Sequence, residues 1–91
     1  MKANFYATLR PIVGGKAVEF DLPGDATVET LLRAAGERFP KLVELTWNED
    51  GTLRDFLKVF VNGREIRHLQ MLDTPVSEDA ELDIFPPVAG G

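Results

Sequence analysis

Apolar and polar residues alternate in four stretches of the chain. Ala3, Phe5, Ala7 and Leu9 are separated by Asn4, Tyr6 and Thr8, which predicts a strand over residues 3–9 with one buried face. Residues 16–22 repeat the pattern, with Val18, Phe20 and Leu22 inward and Glu19 and Asp21 outward. Pro11 and Gly14-Gly15 mark a turn between them, so the two runs predict an antiparallel hairpin. Leu57, Val59 and Val61 alternate with Lys58 and Phe60, and Asn62-Gly63 then supplies a two-residue turn in which both positions tolerate positive φ. A short return strand follows over residues 64–66. Leu82 and Ile84 alternate with Asp83 and Phe85 and predict a last strand, which Pro86-Pro87 ends because neither proline can donate to a sheet ladder.

One stretch has helical spacing instead. Val28, Leu31, Leu32, Ala35 and Phe39 form a single apolar stripe. Thr27 is placed to cap its N-terminus, Glu29 and Arg38 suit the two ends of the helix dipole, and Pro40 stops it. Gly36 weakens its interior by roughly 1 kcal/mol against alanine. Residues 41–56 read as a short helix or extended piece carrying Leu42, Val43, Leu45 and Trp47, followed by a loop at Asn48-Glu49-Asp50-Gly51. Asp73-Thr74-Pro75 and Ser77-Glu78-Asp79 read as turns. The resulting order predicts an α+β domain: one main helix packed across a mixed sheet of four to five strands. With the first and last strands central and parallel, that is the β-grasp, or ubiquitin-like, arrangement. Residues 1–85 form the domain and residues 86–91 an extended tail.

Composition narrows the chemistry. A chain of 91 residues makes one domain with a thin core and no room for a large enclosed cavity. It has no cysteine and one histidine, which removes disulfides, thiolate nucleophiles and cysteine-type zinc sites. No apolar run resembles a signal peptide or spans a membrane, and a soluble, cytoplasmic protein with no membrane partner is expected. The net charge of −5 is unevenly placed: residues 1–67 hold all ten basic residues and ten acids, whereas Asp73, Glu78, Asp79, Glu81 and Asp83 follow with no Lys or Arg. Nucleic acid is therefore not an expected partner, and an acidic end suits either a basic receptor or simply a solvated, soluble face.

The tail holds the most specific signal, Phe85-Pro86-Pro87-Val88-Ala89-Gly90-Gly91. Two prolines favour an extended course, and six residues reach about 20 Å. Val88 and Ala89 offer a small recognition surface. Gly90 and Gly91 lack Cβ atoms and can thread a narrow channel. The reactive group would be the unhindered α-carboxylate of Gly91. Adenylation by a partner using ATP would activate it, after which a sulfur nucleophile gives a thiocarboxylate and an amine gives an isopeptide. This chain offers no catalytic constellation, so it would serve as a cosubstrate or accessory subunit.

Over essentially its whole length the chain resembles the MoaD/ThiS family of ubiquitin-like sulfur carriers. The matching stretches are residues 5–10, residues 26–32, Val61-Asn62-Gly63 and the tail, of which the tail is the most specific. The resemblance implies the small subunit of molybdopterin synthase in molybdenum cofactor biosynthesis. Gly91 would be the carrier position, holding sulfur covalently, and Gly90 the threading residue. No bound cofactor is implied. ATP would be used by an adenylating partner of the MoeB/ThiF type. Sulfur would pass to a large subunit of the MoaE type or another sulfur-accepting enzyme. The chain is also similar to CysO-type carriers of cysteine synthesis and to archaeal small modifier proteins. Sulfur delivery to cysteine or tRNA, and attachment to lysines through Gly91, therefore stand as alternatives.

Strand parity adds a partner surface. If Phe5, Val59, Leu82 and their alternates face the helix, then Tyr6, Phe60 and Phe85 face away on neighbouring strands, beside Pro86, Pro87, Val88 and Ala89. The competing expectation is that residues 41–56 close over these rings, led by Trp47. His68 reads as a surface residue. Asp79, Glu81 and Asp83 are close in sequence, but Asp79 belongs to a turn, and Glu81 and Asp83 read as solvent-facing rather than as a cation site.

Overall fold

The computed structural model describes residues 1–86. Five strands, β1 (Lys2–Phe5), β2 (Ala17–Glu19), β3 (Lys58–Val61), β4 (Arg64–Glu65) and β5 (Glu81–Phe85), form one sheet in the order β2-β1-β5-β3-β4. β1 runs parallel to β5, with Ala3 opposite Leu82 and Phe5 opposite Ile84, and all other pairings are antiparallel. One face of the sheet is covered by helix α2 (Val28–Arg38), and Ala3, Phe5, Val28, Leu31, Val59, Leu82 and Ile84 close the core between them. This is the β-grasp architecture that the alternation predicts. Among the described residues, no helix is long and apolar enough to cross a membrane.

The helix begins where the sequence places it. The Thr27 side chain accepts from the Thr30 backbone N–H at 3.3 Å, and the Thr30 hydroxyl accepts from the Thr27 N–H at 3.1 Å. This reciprocal box uses threonine where glutamate or glutamine is usual. Gly36 has a packing reason: a Cβ there would meet Val43 Cγ2 at 3.1 Å, so its absence lets helix α3 (Lys41–Thr46) lie against α2. The turn at Asn62-Gly63 has φ of 50° and 86°, the doubly positive geometry that matches strand twist.

Several expected boundaries move. The first strand ends at Phe5 rather than continuing to Leu9. Ala7 takes φ of 51° and turns the chain off the sheet into a 3-10 turn over Ala7–Leu9 and helix α1 (Arg10–Val13). Ala7 is consequently exposed, while Leu9 reaches the core from the helical turn. Pro11 belongs to the first turn of α1, where its missing N–H costs nothing, and Gly14 closes the helix at φ of 77°. The second strand covers only Ala17–Glu19, and the return strand only Arg64–Glu65, because Ile66 enters a 3-10 turn. Pro40 does follow the end of α2, but it also opens α3. Residues 74–76 are more than a turn: Val28 donates to the Thr74 carbonyl at 2.9 Å and Val76 to the Ala26 carbonyl at 3.0 Å. Those bonds tie the start of α2 to the segment leading into β5.

Candidate functional site: the open face of the sheet

The face away from α2 carries the outward residues of β1, β5 and β3. Parity puts Asn4 opposite Asp83, Phe60 opposite Asp83 from the other side, and Lys58 opposite Phe85. Tyr6 follows directly after β1, so its ring falls beside Phe85. The two rings stack at 4.2 Å between centroids with 14° between planes. Phe60 meets Phe85 edge-on at 5.7 Å and 79°. Both are favoured arrangements for aromatic quadrupoles. The three rings predicted from parity thus form one cluster, with Phe85 at its centre and Pro86 next in the chain. Pro87, Val88, Ala89, Gly90 and Gly91 lie outside the described residues.

The loop after α3 does not close over the cluster. Trp47 is buried on the helix side of the molecule, where the Arg33 guanidinium lies 3.9 Å from its ring centroid. Arg54 fastens the chain after it, through its backbone N–H to the Thr46 carbonyl at 2.9 Å and its Nε to the Glu44 carbonyl at 2.6 Å. The aromatic cluster is left uncovered by this chain's described residues.

A polar network holds the cluster from one side. The Tyr6 hydroxyl donates to Asp83 Oδ1 at 2.7 Å, and Asn4 Nδ2 donates to the same oxygen at 3.0 Å and to Glu81 Oε2 at 2.7 Å. The hydrogen bond to the Asp83 carboxylate raises the Tyr6 phenol pKa above its ordinary value, helped by lost hydration and the carboxylate's charge and opposed by Arg10. Arg10 sits with its guanidinium 5.3 Å from the Tyr6 ring centroid while its Nε donates to the Phe5 carbonyl at 2.9 Å. Asp83 is therefore half-buried and committed, not free in solvent as parity alone suggests. Asp79 accepts from the Ser77 hydroxyl at 2.7 Å, and among the described residues no group of acidic and histidine side chains is arranged to hold a metal. His68 is exposed in the turn after β4.

Charge is ordered in space differently from its order in sequence. Glu78, Asp79 and Glu81 stand at or before the start of β5. Arg10, Lys58 and Arg67 stand at its other end, where the chain leaves the sheet. Lys58 and Arg67 share one anion, Glu65, at 3.6 and 3.4 Å. The exit of the tail is thus aromatic, with Arg10, Lys58 and Arg67 set among Asp55, Glu65 and Asp83.

The comparisons with known proteins agree with this geometry. The family model described as the ThiS family matches residues 3–91. The chain belongs to the ThiS family. It is 35% identical over 91 residues to small archaeal modifier protein 3 of Haloferax volcanii, covering 100% of this chain and 98% of that protein. The crystal structure of small archaeal modifier protein 1 from the same organism superposes with a TM-score of 0.88 at 34% identity, covering 100% of this chain and 98% of that one. A chain in the crystal structure of the Amycolatopsis orientalis BexX/CysO complex superposes with a TM-score of 0.83 at 30% identity, covering 99% and 98%. The protein is therefore a β-grasp member of a family of sulfur carriers and ubiquitin-like modifiers.

One surface residue escaped the sequence reading. Phe56 is 62% exposed, the most exposed large apolar side chain among the described residues. Parity gives it no face because it precedes β3 in a turn. The Asn-Glu-Asp-Gly run directs attention to the earlier loop and away from it.

Proposed function

We propose that this chain is an acyl carrier whose Gly91 α-carboxylate is activated by a partner enzyme and loaded with sulfur. The carboxylate attacks the α-phosphate of ATP, forming an acyl adenylate and releasing pyrophosphate. Hydrosulfide then attacks the acyl carbon, AMP leaves, and Gly91 ends as a thiocarboxylate. The chain's own residues present the tail and recognise the partner. Phe85, clamped by Tyr6 and Phe60, fixes where Pro86 leaves the sheet, and the three rings offer the apolar docking face. Pro87, Val88 and Ala89 would be read inside the partner, and Gly90 would thread its channel.

The observation that carries the reading is the family match running through residue 91, which takes in the glycine pair. We place the acceptor first at molybdopterin synthase, whose large subunit would take sulfur from Gly91 for a pterin precursor. A second reading has a specific observation in its favour. Full-length identity to two proteins named as archaeal modifiers supports an isopeptide bond from Gly91 to protein lysines, formed from the same adenylate. Delivery of sulfur to cysteine or tRNA is the remaining acceptor.

Intact mass of the protein from its native cells, with fragmentation of the tail peptide, tests this. Replacement of one oxygen by sulfur at Gly91 is the expected result. Gly91 found only on lysine side chains moves the conclusion to the modifier. A tail with neither form in cells that express the chain refutes both.

A further inference from the structure

Gly91 stands five residues after Pro86, a stretch that spans at most about 17 Å when fully extended. An enzyme that brings Gly91 to ATP must therefore press its channel mouth against the end of the domain. The rim at that end is not only the aromatic cluster. β3 and β5 pair Lys58 with Phe85, so the turn carrying Phe56 stands two residues beyond, where the chain leaves the sheet.

That turn is held by several hydrogen bonds. Leu57 donates to the Arg54 carbonyl at 3.2 Å, closing it. Arg54 anchors one side to the end of α3, and the Arg67 guanidinium donates to the Asp55 carbonyl on the other. The structure spends two arginines on holding a turn whose tip is an exposed phenylalanine. Phe56 makes no ring contact with Tyr6, Phe60 or Phe85, so it does not stabilise the cluster. Exposing a ring of this size on a fixed turn forgoes burial that would favour folding, and such rings are common anchors of interfaces.

Resting on the activation proposed above, we infer that Phe56 is a separate anchor for the adenylating enzyme, entering an apolar pocket beside the mouth of its tail channel. The occupant of this rim is thus a protein surface with an apolar pocket beside its tail channel. Charges of both signs lie near Phe56: Lys58 and Arg67 share Glu65, and Asp55 precedes the ring. Seating the ring in such a pocket would slow release.

The experiment is ATP–pyrophosphate exchange by the MoeB/ThiF-type enzyme of the same organism, with the full chain as the varied substrate. Three carriers are compared: wild type, Phe56→Ser and Val43→Ser. Val43 is 45% exposed on α3 and serves as the control for loss of surface apolarity. Phe56→Ser should raise KM by about tenfold or more and leave kcat within about twofold, because the tail itself is intact. Val43→Ser should leave both unchanged. A Phe56→Ser KM within about twofold of wild type, with wild type active, overturns this inference and leaves the activation reading standing. Wild type without exchange overturns the activation reading and this inference with it. Sedimentation of the same proteins adds one more arm: a wild-type dimer that Phe56→Ser makes monomeric assigns the ring to self-association and overturns the assignment to the enzyme.

Discussion

If the aromatic cluster is preformed, its rings must be energetically coupled, and the Phe60–Phe85 pair measures this. Complete burial makes a Phe→Ala change cost about 3–5 kcal/mol. Both rings are half-buried, so each truncation should cost about 1.5–2.5 kcal/mol. Phe85→Ala should be the worse of the two, because Phe85 touches two rings and Phe60 touches one. An edge-to-face pair contributes about 0.5–1.5 kcal/mol beyond its buried area. The double variant should therefore cost less than the sum of the singles by about that amount. A domain of this size is expected to have about 5–15 kcal/mol of stability, so all three variants stay folded in water. Guanidinium unfolding followed by tryptophan fluorescence is the assay. Trp47 is the sole tryptophan and is buried on the opposite side of the molecule, so its signal reports global unfolding without being altered locally by the substitutions. Coupling below about 0.3 kcal/mol, together with equal costs for the two singles, would refute the reasoning. The rings would then be independent surface residues, and the exit direction of the tail would have no such clamp.

Two further expectations follow from the hydrogen bonds. Thr27→Ala removes the side-chain acceptor of the capping box and should lower stability by about 1 kcal/mol, a fall in Tm of roughly 4–8 °C by calorimetry; an unchanged Tm would show that the cap is not stabilising. The Tyr6 phenol has a raised pKa because its protonated form is held by Asp83. The stability it contributes is fully present below the ordinary tyrosine value and is lost as pH rises through the folded-state value. Ultraviolet titration should place Tyr6, the only tyrosine, above 10 in the wild type and closer to 10 in Asp83→Asn, with alkaline unfolding following the same order; equal midpoints would contradict the assigned bond.

The fold was legible because its core strands obey strict parity and its helix has one unbroken stripe. Tyr6, Phe60 and Phe85 were found by the same rule, since period two assigns every outward residue once the inward ones are known. What parity could not give was Ala7. Its alternation with Phe5 and Leu9 is a coincidence of composition: Leu9 reaches the core from a helical turn. The positive φ at Ala7 is set by the chain having to leave the sheet for a helix that begins at Arg10-Pro11, and no local residue announces it. Asp83 was misplaced for a related reason. An outward position reads as solvated, yet Asn4 on the neighbouring strand and Tyr6 just after it both donate to it, and cross-strand partners appear only once register is known. Phe56 was missed because it belongs to no period at all.

The distribution of charge shows what sequence order conceals most. Five acids and no Lys or Arg follow residue 67, so the C-terminal stretch reads as acidic, suited to a basic receptor or to solvent. Folding redistributes that charge. β5 is five residues long, enough to separate its ends by about 13 Å, beyond a Debye length of about 8 Å in physiological salt. Glu78, Asp79 and Glu81 are left at its start, and at its end Phe85 is flanked by Lys58 from β3 and Arg10 from beyond β1. A partner reaching for the tail meets the aromatic rings with both signs of charge around them, Arg10, Lys58 and Arg67 beside Asp55, Glu65 and Asp83. The exit therefore offers apolar surface with paired charges, and the acidity of the linear C-terminal stretch does not carry over to it.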